Sequence, residues 1–540
     1  MRISIVIPPW LHPCSPPLGP AALSAFLKRE HPRAKIQLFD LNLSYYHEAL
    51  SLMNQGLLGL KLYNWDAPTT ARKVMESVDF LKTHPLSSVS ISRWHQMATI
   101  FLSFENVFNG FMAEMAGRSL LGMEIPGVID GFFNRIVSSV VTFEPGLCGI
   151  SVFFDAQMVF ALEISRRIKE ETDAFICLGG ARFGTCPRPE RLFKRPLRIR
   201  AKGENHALES LPFVDAIIPG EGEIPMVELA RNLPLSKIRD VPGLVFKASS
   251  QVVTNDPPPL LSMNELPAPD FSDFDPEGYL TPEPVLPFMT SRGCAWGKCT
   301  FCTHHRIYRK YRQMNIQTVL RQMGELKDRY ETSLFNLFDE MIPPARARNL
   351  AKALLNKGLN LKFSAYAKPV KPFNETLLKL LAQAGCRLMM WGVESGSQRI
   401  LDLMKKGTKV KDMEEVLMNS SKAGIRNLIF IMFGFPGETE ADFNLTISFL
   451  KRNNNYIDAI SKGIFVLIEG CEVHRRPDKF FITRIQPKSD NWSGAMAYSF
   501  ETDEGLDQKQ VLKLYKEHLP LIEKIGLSPR LGVYREHLLF

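Results

Sequence analysis

At 540 residues, 45% of them hydrophobic, the chain is long enough for several domains, each with a core of its own. No uninterrupted apolar run reaches membrane-spanning length, and the N-terminus lacks the basic start, apolar stretch and cleavage site of a secretory signal, so a cytoplasmic protein is expected. A net charge of +9 is moderate for this size, and nine cysteines, an odd number, suit a reducing compartment better than a disulfide framework.

The chain opens as a βαβ unit. MRISIVIPP reads as a strand ending in a Pro-rich loop, PPLGPAALSAFLKRE as a turn into an amphipathic helix, and KIQLFDLN as a second strand. From about Leu43 to Phe143 the sequence is rich in Leu, Met, Phe and Lys and reads as several helices, far more chain than a plain crossover needs. The strand pattern then resumes with GLCGISVFF (Gly146 to Phe154), the helix ALEISRRIKEE, AFICLGG (Ala174 to Gly180) and VDAIIPGEGE (Val214 to Glu223). Residues 1–250 are therefore expected to form a Rossmann-like open parallel sheet with a helical insertion at about 43–143. Ligands of such sheets lie beyond the carboxyl ends of the strands. Here those ends present the Pro8 to Gly19 loop, Ser151, Gly179, Gly180, Gly220, Glu221, Gly222 and Glu223. The first turn lacks a clean G-x-G-x-x-G, which argues against a dinucleotide.

A Pro-rich, acidic stretch at 251–284 reads as a linker. It leads into GCAWGKCTFC, where Cys294, Cys299 and Cys302 follow a C-x₄-C-x₂-C spacing. Three close thiolates can hold three irons of a cubane cluster and leave the fourth iron open. The competing reading is a structural zinc site closed by His304 or His305. Six apolar runs then alternate with helical segments: LPFMTS (Leu286 to Ser291), SLFNLF (Ser333 to Phe338), KFSAYA (Lys362 to Ala367), LMMWGV (Leu388 to Val393), NLIFIMF (Asn427 to Phe433) and ISKGIFVL (Ile460 to Leu467). Residues 285–470 are thus expected to form a partial (β/α)6 TIM barrel. Asp339, Glu340, Glu394, Ser395, Gly434 and Gly437 fall at the strand ends where such folds carry their chemistry. Taken singly, Glu394 could be a helix N-terminal carboxylate and GFPGE a simple turn.

Residues 471–540 leave the barrel pattern for a small α+β region placed on the substrate side. It holds Cys471 and His474, for which packing is the ordinary role, then a strand-turn stretch with Trp492 and Tyr498, a helix in QKQVLKLYKEHLPLIEKIGL, and GVYREHLLF. Two basic stretches, Arg191 to Lys202 and His304 to Arg312, are read as solvated faces rather than a nucleic-acid surface, with the alternative for the second, directly after the cysteines, that it lies close to an anionic site.

The cysteine loop, Phe301 before its last cysteine and the strand preceding it resemble the cluster loop of the radical S-adenosylmethionine (SAM) superfamily. That superfamily usually spaces its cysteines C-x₃-C-x₂-C. The extra residue here lengthens the first half of the loop, which Gly293 and Gly297 leave free to absorb it. The resemblance implies a 4Fe-4S cluster on Cys294, Cys299 and Cys302. It also implies SAM contacts from the Phe301 backbone at the adenine, Asp339 and Glu340 near the amino group, Glu394 and Ser395 near the ribose and carboxylate, and Gly434 and Gly437 under the adenine.

The first half resembles the cobalamin-binding domain of the cobalamin-dependent branch, through its GIS strand end, LGG strand end and GEGE turn. This implies cobalamin against Ser151, Gly179, Gly180, Gly220, Glu221 and Gly222. The chain has no D-x-H-x-x-G string, so cobalamin is expected without a histidine below cobalt. The activity implied is C-methylation of an unactivated carbon in a peptide or natural-product intermediate, through a 5′-deoxyadenosyl radical and methylcobalamin. A low-potential electron donor such as flavodoxin or ferredoxin would supply the electron. A radical cyclase or rearrangement enzyme without methyl transfer, or a non-catalytic cobalamin or iron-sulfur binding protein, are the alternatives. The motifs single out no protein acid or base.

Overall fold

β1 (Arg2–Ile7) is buried at every position but its first, as a strand covered on both faces must be. In the computed structural model, which describes residues 1–233, 238–248, 251–304, 307–487, 497–525 and 535–540, this strand belongs to a seven-stranded sheet. Its parallel neighbours are β2 (Lys35–Asp40) and β3 (Leu147–Ser151), and β4 (Phe175–Gly179) pairs with β3 beyond. A separate hairpin, β5 (Leu197–Ala201) and β6 (Glu204–Leu208), carries part of the first basic stretch. The main sheet continues through β7 (Ala216–Ile217) to two antiparallel strands, β8 (Val245–Ala248) and β9 (Gln251–Thr254). The expected open parallel sheet is present, with an antiparallel edge that runs past residue 250. β9 is half-exposed along its length, a pattern that in sequence looks the same as a polar linker.

The insertion is four helices, Leu41–Asn54, Ala67–Thr83, Ile91–Leu120 and Gly127–Phe143. Their interior is aromatic: Tyr45, Phe101, Phe104, Phe108, Phe132 and Phe133 are fully buried, with Phe104 stacked on Phe108 at 5.3 Å. One contiguous apolar core joins these helices to Val6 and Ile150 of the first sheet and to Leu334, Leu388, Met390 and Leu428 further along the chain. Inside it, the buried Glu105 carboxylate accepts from Tyr46 Oη at 3.0 Å and lies 2.8 Å from His12 Nδ1 in the first loop. The insertion therefore braces the loop after β1 rather than standing apart as a cap.

The second sheet is all parallel and follows chain order. β10 (Val285–Phe288) is followed by the short pair β11 (Ser291–Arg292) and β12 (Arg312–Gln313), then β13 (Leu334–Leu337), β14 (Lys362–Ala367), β15 (Cys386–Glu394), β16 (Arg426–Phe433) and β17 (Ala459–Ile464). The spatial order β10-β13-β14-β15-β16-β17 leaves β10 and β17 as the outer strands, as a partial barrel requires. The sixth apolar run breaks after Ile464. Its end, β18 (Leu467–Ile468), joins β19 (Ile482–Pro487) and β20 (Ala497–Thr502) in a small antiparallel sheet. A helix Gln508–Ile522 and a final turn Arg535–Leu539 complete the C-terminal region, and Trp492 lies outside the described residues. Among the described residues no helix is long and apolar enough to cross a membrane.

Buried ion pairs join the two sheets. Arg292, just ahead of the cysteine loop, pairs with Glu221 and Glu223 of the GEGE turn, and Arg312, just after the loop, pairs with Glu221. All four side chains are at most 13% exposed. Burial alone would raise the Glu223 carboxyl, but Arg292 holds it below its ordinary value. Within the second basic stretch Arg312 is thus a joining residue, while His304, Arg309 and Lys310 stay exposed. Arg309 donates to Pro258 O and Arg312 to Leu261 O, which straps the linker onto the barrel. A second joint pairs Arg188 and Arg191 with Glu469, which also accepts from Tyr498 Oη at 2.8 Å.

Arg292→Met removes the shared cation and leaves two carboxylates in a nearly dry joint. The expected cost is about 3–5 kcal/mol, read by urea unfolding. Adding Glu223→Gln to that variant recovers part of the loss.

Candidate active site

β11 and β12 pair antiparallel, Ser291 with Gln313 and Arg292 with Arg312, so the two ends of the cysteine loop are held side by side. The loop is pinned from two directions. Thr300 N donates to Met404 O at 3.0 Å, Trp296 Nε1 to Lys405 O at 2.9 Å, and Val473 N to Thr300 O at 3.1 Å. Cys294, Cys299 and Cys302 are all half-buried thiols. Burial pushes the Cys302 thiol up to about 12, and the nearby Cys299, Glu340 and Cys294 add to the effect. Burial raises Cys299 as well, while Lys406 and Lys368 pull it back. The three sulfurs therefore lie within one another's electrostatic reach, and a bound cation would favour the thiolate form of Cys299 and Cys302. Among the described residues, no group of three or more His, Cys, Asp and Glu side chains stands in a closed metal-binding arrangement. His304, weighed above as a zinc ligand, has its Nδ1 at 2.6 Å from Glu340 Oε2, and His305 lies outside the described residues.

The strand-end residues divide by what their side chains touch. Asp339, expected at the SAM amino group, is buried instead against Thr290 and Ser291. It accepts from the Thr290 amide at 3.2 Å and hydroxyl at 2.9 Å and from Ser291 Oγ, while Arg346 donates to the Thr290 hydroxyl and carbonyl. Its carboxylate thus positions the entry to the cysteine loop. Ser395 is also fully buried, with its hydroxyl 3.1 Å from Thr446 Oγ1 and accepting from Ser397 N, so its side chain shapes the turn.

Glu340 and Glu394 remain half-buried at the barrel rim. Glu394 follows a bulge in β15, adopts φ +65°, and meets Lys406 Nζ at 2.7 Å. A non-glycine residue in that backbone region carries a conformational cost, offset here by the ion pair that aims its carboxylate. Phe301 packs against the core of the C-terminal region, with Lys406 Nζ 5.9 Å from its ring. Gly434 and Gly437 lie under that region too. A Cβ on Gly434 (φ +75°) would come within 2.7 Å of Val511, and one on Gly437 would strike Phe481. Cys471 keeps the packing role expected of it: it is buried and its Sγ accepts from His474 N at 3.4 Å.

At the edge of the first sheet, Ser151 and Gly179 are paired strand ends. Gly180 has φ +100°, and a Cβ there would clash with Val152 O at 2.4 Å, so only glycine fits. The constraint is therefore internal to the crossing of two strand ends. Glu221 was expected to contact cobalamin, but its carboxylate is engaged by Arg292 and Arg312, which gives it a joining role. Gly220 and Gly222 flank it in the turn, with Gly222 opening the helix Glu223–Asn232. This edge faces the segment after the cysteines. Ile307 lies 3.3 Å from a Cβ built on Gly184, and its carbonyl 3.7 Å from one built on Gly220.

Three residues of the site escaped the sequence reading. Lys368 Nζ sits 3.4 Å from the centroid of Trp296, the aromatic residue of the lengthened half-loop, and Lys406 reaches Glu394 from the segment that pins the loop. Phe154, just after β3, is 63% exposed at the sheet edge. None belongs to a spacing pattern, and each acquires its place only when strands far apart in sequence converge.

Burial pushes the Glu438 carboxyl up to about 8, with the Gly434 amide only partly offsetting it. The folded chain thus holds a proton between about pH 4.5 and 8 that the unfolded chain has lost. Stability should fall as pH rises through that window, by at most about 1.4 kcal/mol per unit. Thermal melts of Glu438→Gln should show a flatter profile than the wild type across that range.

Residues 288–450 match the radical SAM superfamily. An uncharacterized methyltransferase of Pyrococcus horikoshii is 27% identical over 60% of this chain and 69% of its own length. The anaerobic magnesium-protoporphyrin IX monomethyl ester cyclase of Cereibacter sphaeroides is 27% identical over 45% of this chain, which spans only 43% of that relative. The solved structure of the cobalamin-dependent SAM radical enzyme OxsB, with aqua-cobalamin and SAM bound, superimposes with a TM-score of 0.62. It covers 99% of this chain and 70% of its own at 17% identity, a likeness of fold. With the cysteine loop at the mouth of a partial barrel and an open α/β sheet facing it, residues 288–450 form a radical SAM domain, and the chain shares its fold with a cobalamin-dependent SAM radical enzyme.

Proposed function

We propose that this protein is a cobalamin-dependent radical SAM C-methyltransferase that acts on an unactivated carbon of a peptide or a small natural-product intermediate. The observation that carries this reading is the apposition of the ligand-binding edge of the first sheet to the cysteine loop, with Ile307 against Gly184 and Gly220. The residues present fit the three groups involved. Cys294, Cys299 and Cys302 suit a 4Fe-4S cluster that keeps one iron open, and Lys368 and Lys406 offset its negative charge. Glu340, Glu394, the Phe301 backbone, Gly434 and Gly437 suit SAM. Ser151, Gly179, Gly180, Gly220 and Gly222 are the strand-end and turn residues that a corrin ring would meet, with open space beside Gly222, and the exposed Phe154 supplies apolar surface such a ring would cover.

Bound together, these groups supply one-electron cleavage of SAM and delivery of a methyl group to carbon, chemistry beyond the reach of protein acids and bases. The chain's part is positional. Asp339 and the Glu221–Arg292 pair fix the loop entry, Lys406 aims Glu394, and the C-terminal region covers the GFPGE turn. The Pyrococcus relative's name supports methyl transfer, and the ligands of OxsB support the pairing of cobalamin with SAM. The Cereibacter cyclase supports a second reading, ring closure by the same cofactors without methyl transfer. A low-potential donor such as flavodoxin or ferredoxin would reduce the cluster. Nine free thiols and an oxygen-labile cluster fit a cytoplasmic setting.

The test is product analysis after anaerobic reconstitution with iron, sulfide and cobalamin, then incubation with SAM, candidate substrates and a low-potential reductant. Cobalamin-dependent formation of both 5′-deoxyadenosine and S-adenosylhomocysteine is expected, whereas deoxyadenosine alone would select the second reading. Cys299→Ala should abolish SAM cleavage, and deoxyadenosine formation by that variant with only trace cluster would refute the mechanism. The cob(II)alamin EPR spectrum should lack nitrogen superhyperfine splitting from a lower ligand.

A further inference from the structure

The rim of the barrel carries an aromatic wall. Phe338 follows β13, Tyr366 is the penultimate residue of β14 and Phe430 lies on β16. Tyr366 and Phe430 stack with centroids 6.0 Å apart and planes 16° apart, and Phe338 stands 6.3 Å from Tyr366. All three are half-buried, while Leu337, Ala367 and Ile431 beside them on the same strands are buried. The rings therefore border open space at the level of Glu340 and Glu394.

Arg535 reaches this wall from the C-terminal turn. Its guanidinium carbon lies 4.3 Å from the Phe338 centroid, and Nη1 donates to Tyr366 Oη at 3.2 Å. Nε lies 3.1 Å from Glu536 Oε1. The buried Glu536 carboxylate accepts from Ser15 Oγ at 3.1 Å and Asn336 Nδ2 at 3.0 Å, two hydrogen bonds beside its ion pair with Arg535. The arginine side chain keeps 28% of its exposure. Its pairing with Glu536 runs through Nε, which leaves the Nη edge turned toward Tyr366. An oxyanion arriving there meets a planar fork suited to two parallel hydrogen bonds. Tyr366, having accepted from Arg535, still has its own O–H to donate. Packing alone would not call for a cation among aromatic rings at the rim of a binding fold, since an apolar side chain fills such a place without the desolvation cost.

We propose that Arg535, with Tyr366, anchors an anionic group of the substrate, a carboxylate or a phosphate, while the substrate's apolar body lies against Phe338, Tyr366 and Phe430. The assignment of this rim as substrate space rests on the function proposed above. The C-terminal segment thereby becomes a determinant of substrate choice, and neutral substrates are disfavoured.

The test uses the full chain reconstituted with cluster and SAM, titrated calorimetrically with phenyl phosphate, phenylacetate and the neutral benzyl alcohol. The wild type should bind at least one anion about tenfold or more tightly than benzyl alcohol. Arg535→Gln should erase that preference and Tyr366→Phe should reduce it about threefold, both with unchanged cluster absorbance and SAM binding, while Arg535→Gln melts lower because buried Glu536 loses its counter-ion. A preference for phenyl phosphate identifies a phosphate-bearing substrate, and one for phenylacetate a carboxylate. Equal binding of anions and benzyl alcohol by the wild type, or an intact preference in folded Arg535→Gln, overturns the proposal. Should Arg535→Gln fail to fold, Tyr366→Phe decides, and an undiminished preference there overturns it equally. A wild type that shows the anion preference but takes up neither cluster nor SAM would count against the proposed function alone.

Discussion

Two arginines and two glutamates hold this molecule in working order. Arg292 and Arg312 flank the cysteine loop in sequence and in the β11–β12 pair, and both reach Glu221, while Arg292 also reaches Glu223. Charges so nearly excluded from water attract strongly but also cost much to bury, so the arrangement tolerates little displacement of either side. It ties the end of the first sheet to the start of the second domain's chemistry. The gap between the two sheets is thereby set by the same residues that hold the loop ends together.

The site is then built in layers around the loop. Asp339 fixes the backbone at Thr290 and Ser291, Met404 and Lys405 carbonyls receive Thr300 and Trp296, and the short helix after Cys471 adds Val473. These partners come from three separate parts of the chain: Asp339, Met404 with Lys405, and Val473. The loop is therefore positioned before any metal enters it, which is the preorganisation that a cofactor site needs. The electrostatics point the same way, because Lys368 and Lys406 supply positive charge beside Cys299, whose thiol burial raises. The C-terminal region covers the GFPGE turn through Val511 and Phe481 and sends Arg535 to the rim. It therefore both closes over that turn and places a cation against the aromatic rings at the barrel rim.

Much of the architecture was legible in the residues. Parallel strands buried on both faces write near-continuous apolar runs, so all six barrel strands were found, and KFSAYA was found to the residue. The four-helix insertion showed itself through length and lack of β-branched runs. The antiparallel edge β8–β9 did not, because a half-exposed hairpin has no strong period. In the site, the cysteines and the strand-end positions of Glu340 and Glu394 were readable, since local spacing and strand phase set them. The protein partners of Asp339, Ser395 and Glu221 were not readable, because a carboxylate or hydroxyl at a strand end can face a ligand or a neighbouring loop with equal local logic.

By itself the sequence determined the two-sheet plan, the cysteine triplet and the chemistry that the triplet implies, since all three rest on local period and spacing. Only the tertiary structure decided that Glu221 binds arginines, that Asp339 braces the loop entry, that Lys368 and Lys406 stand by the thiols, and that Arg535 crosses from the end of the chain to Phe338 and Tyr366. The reason is physical. Periodicity records which face of an element is buried, whereas the partner of a buried charge is chosen by whichever distant segment the fold brings within hydrogen-bond reach.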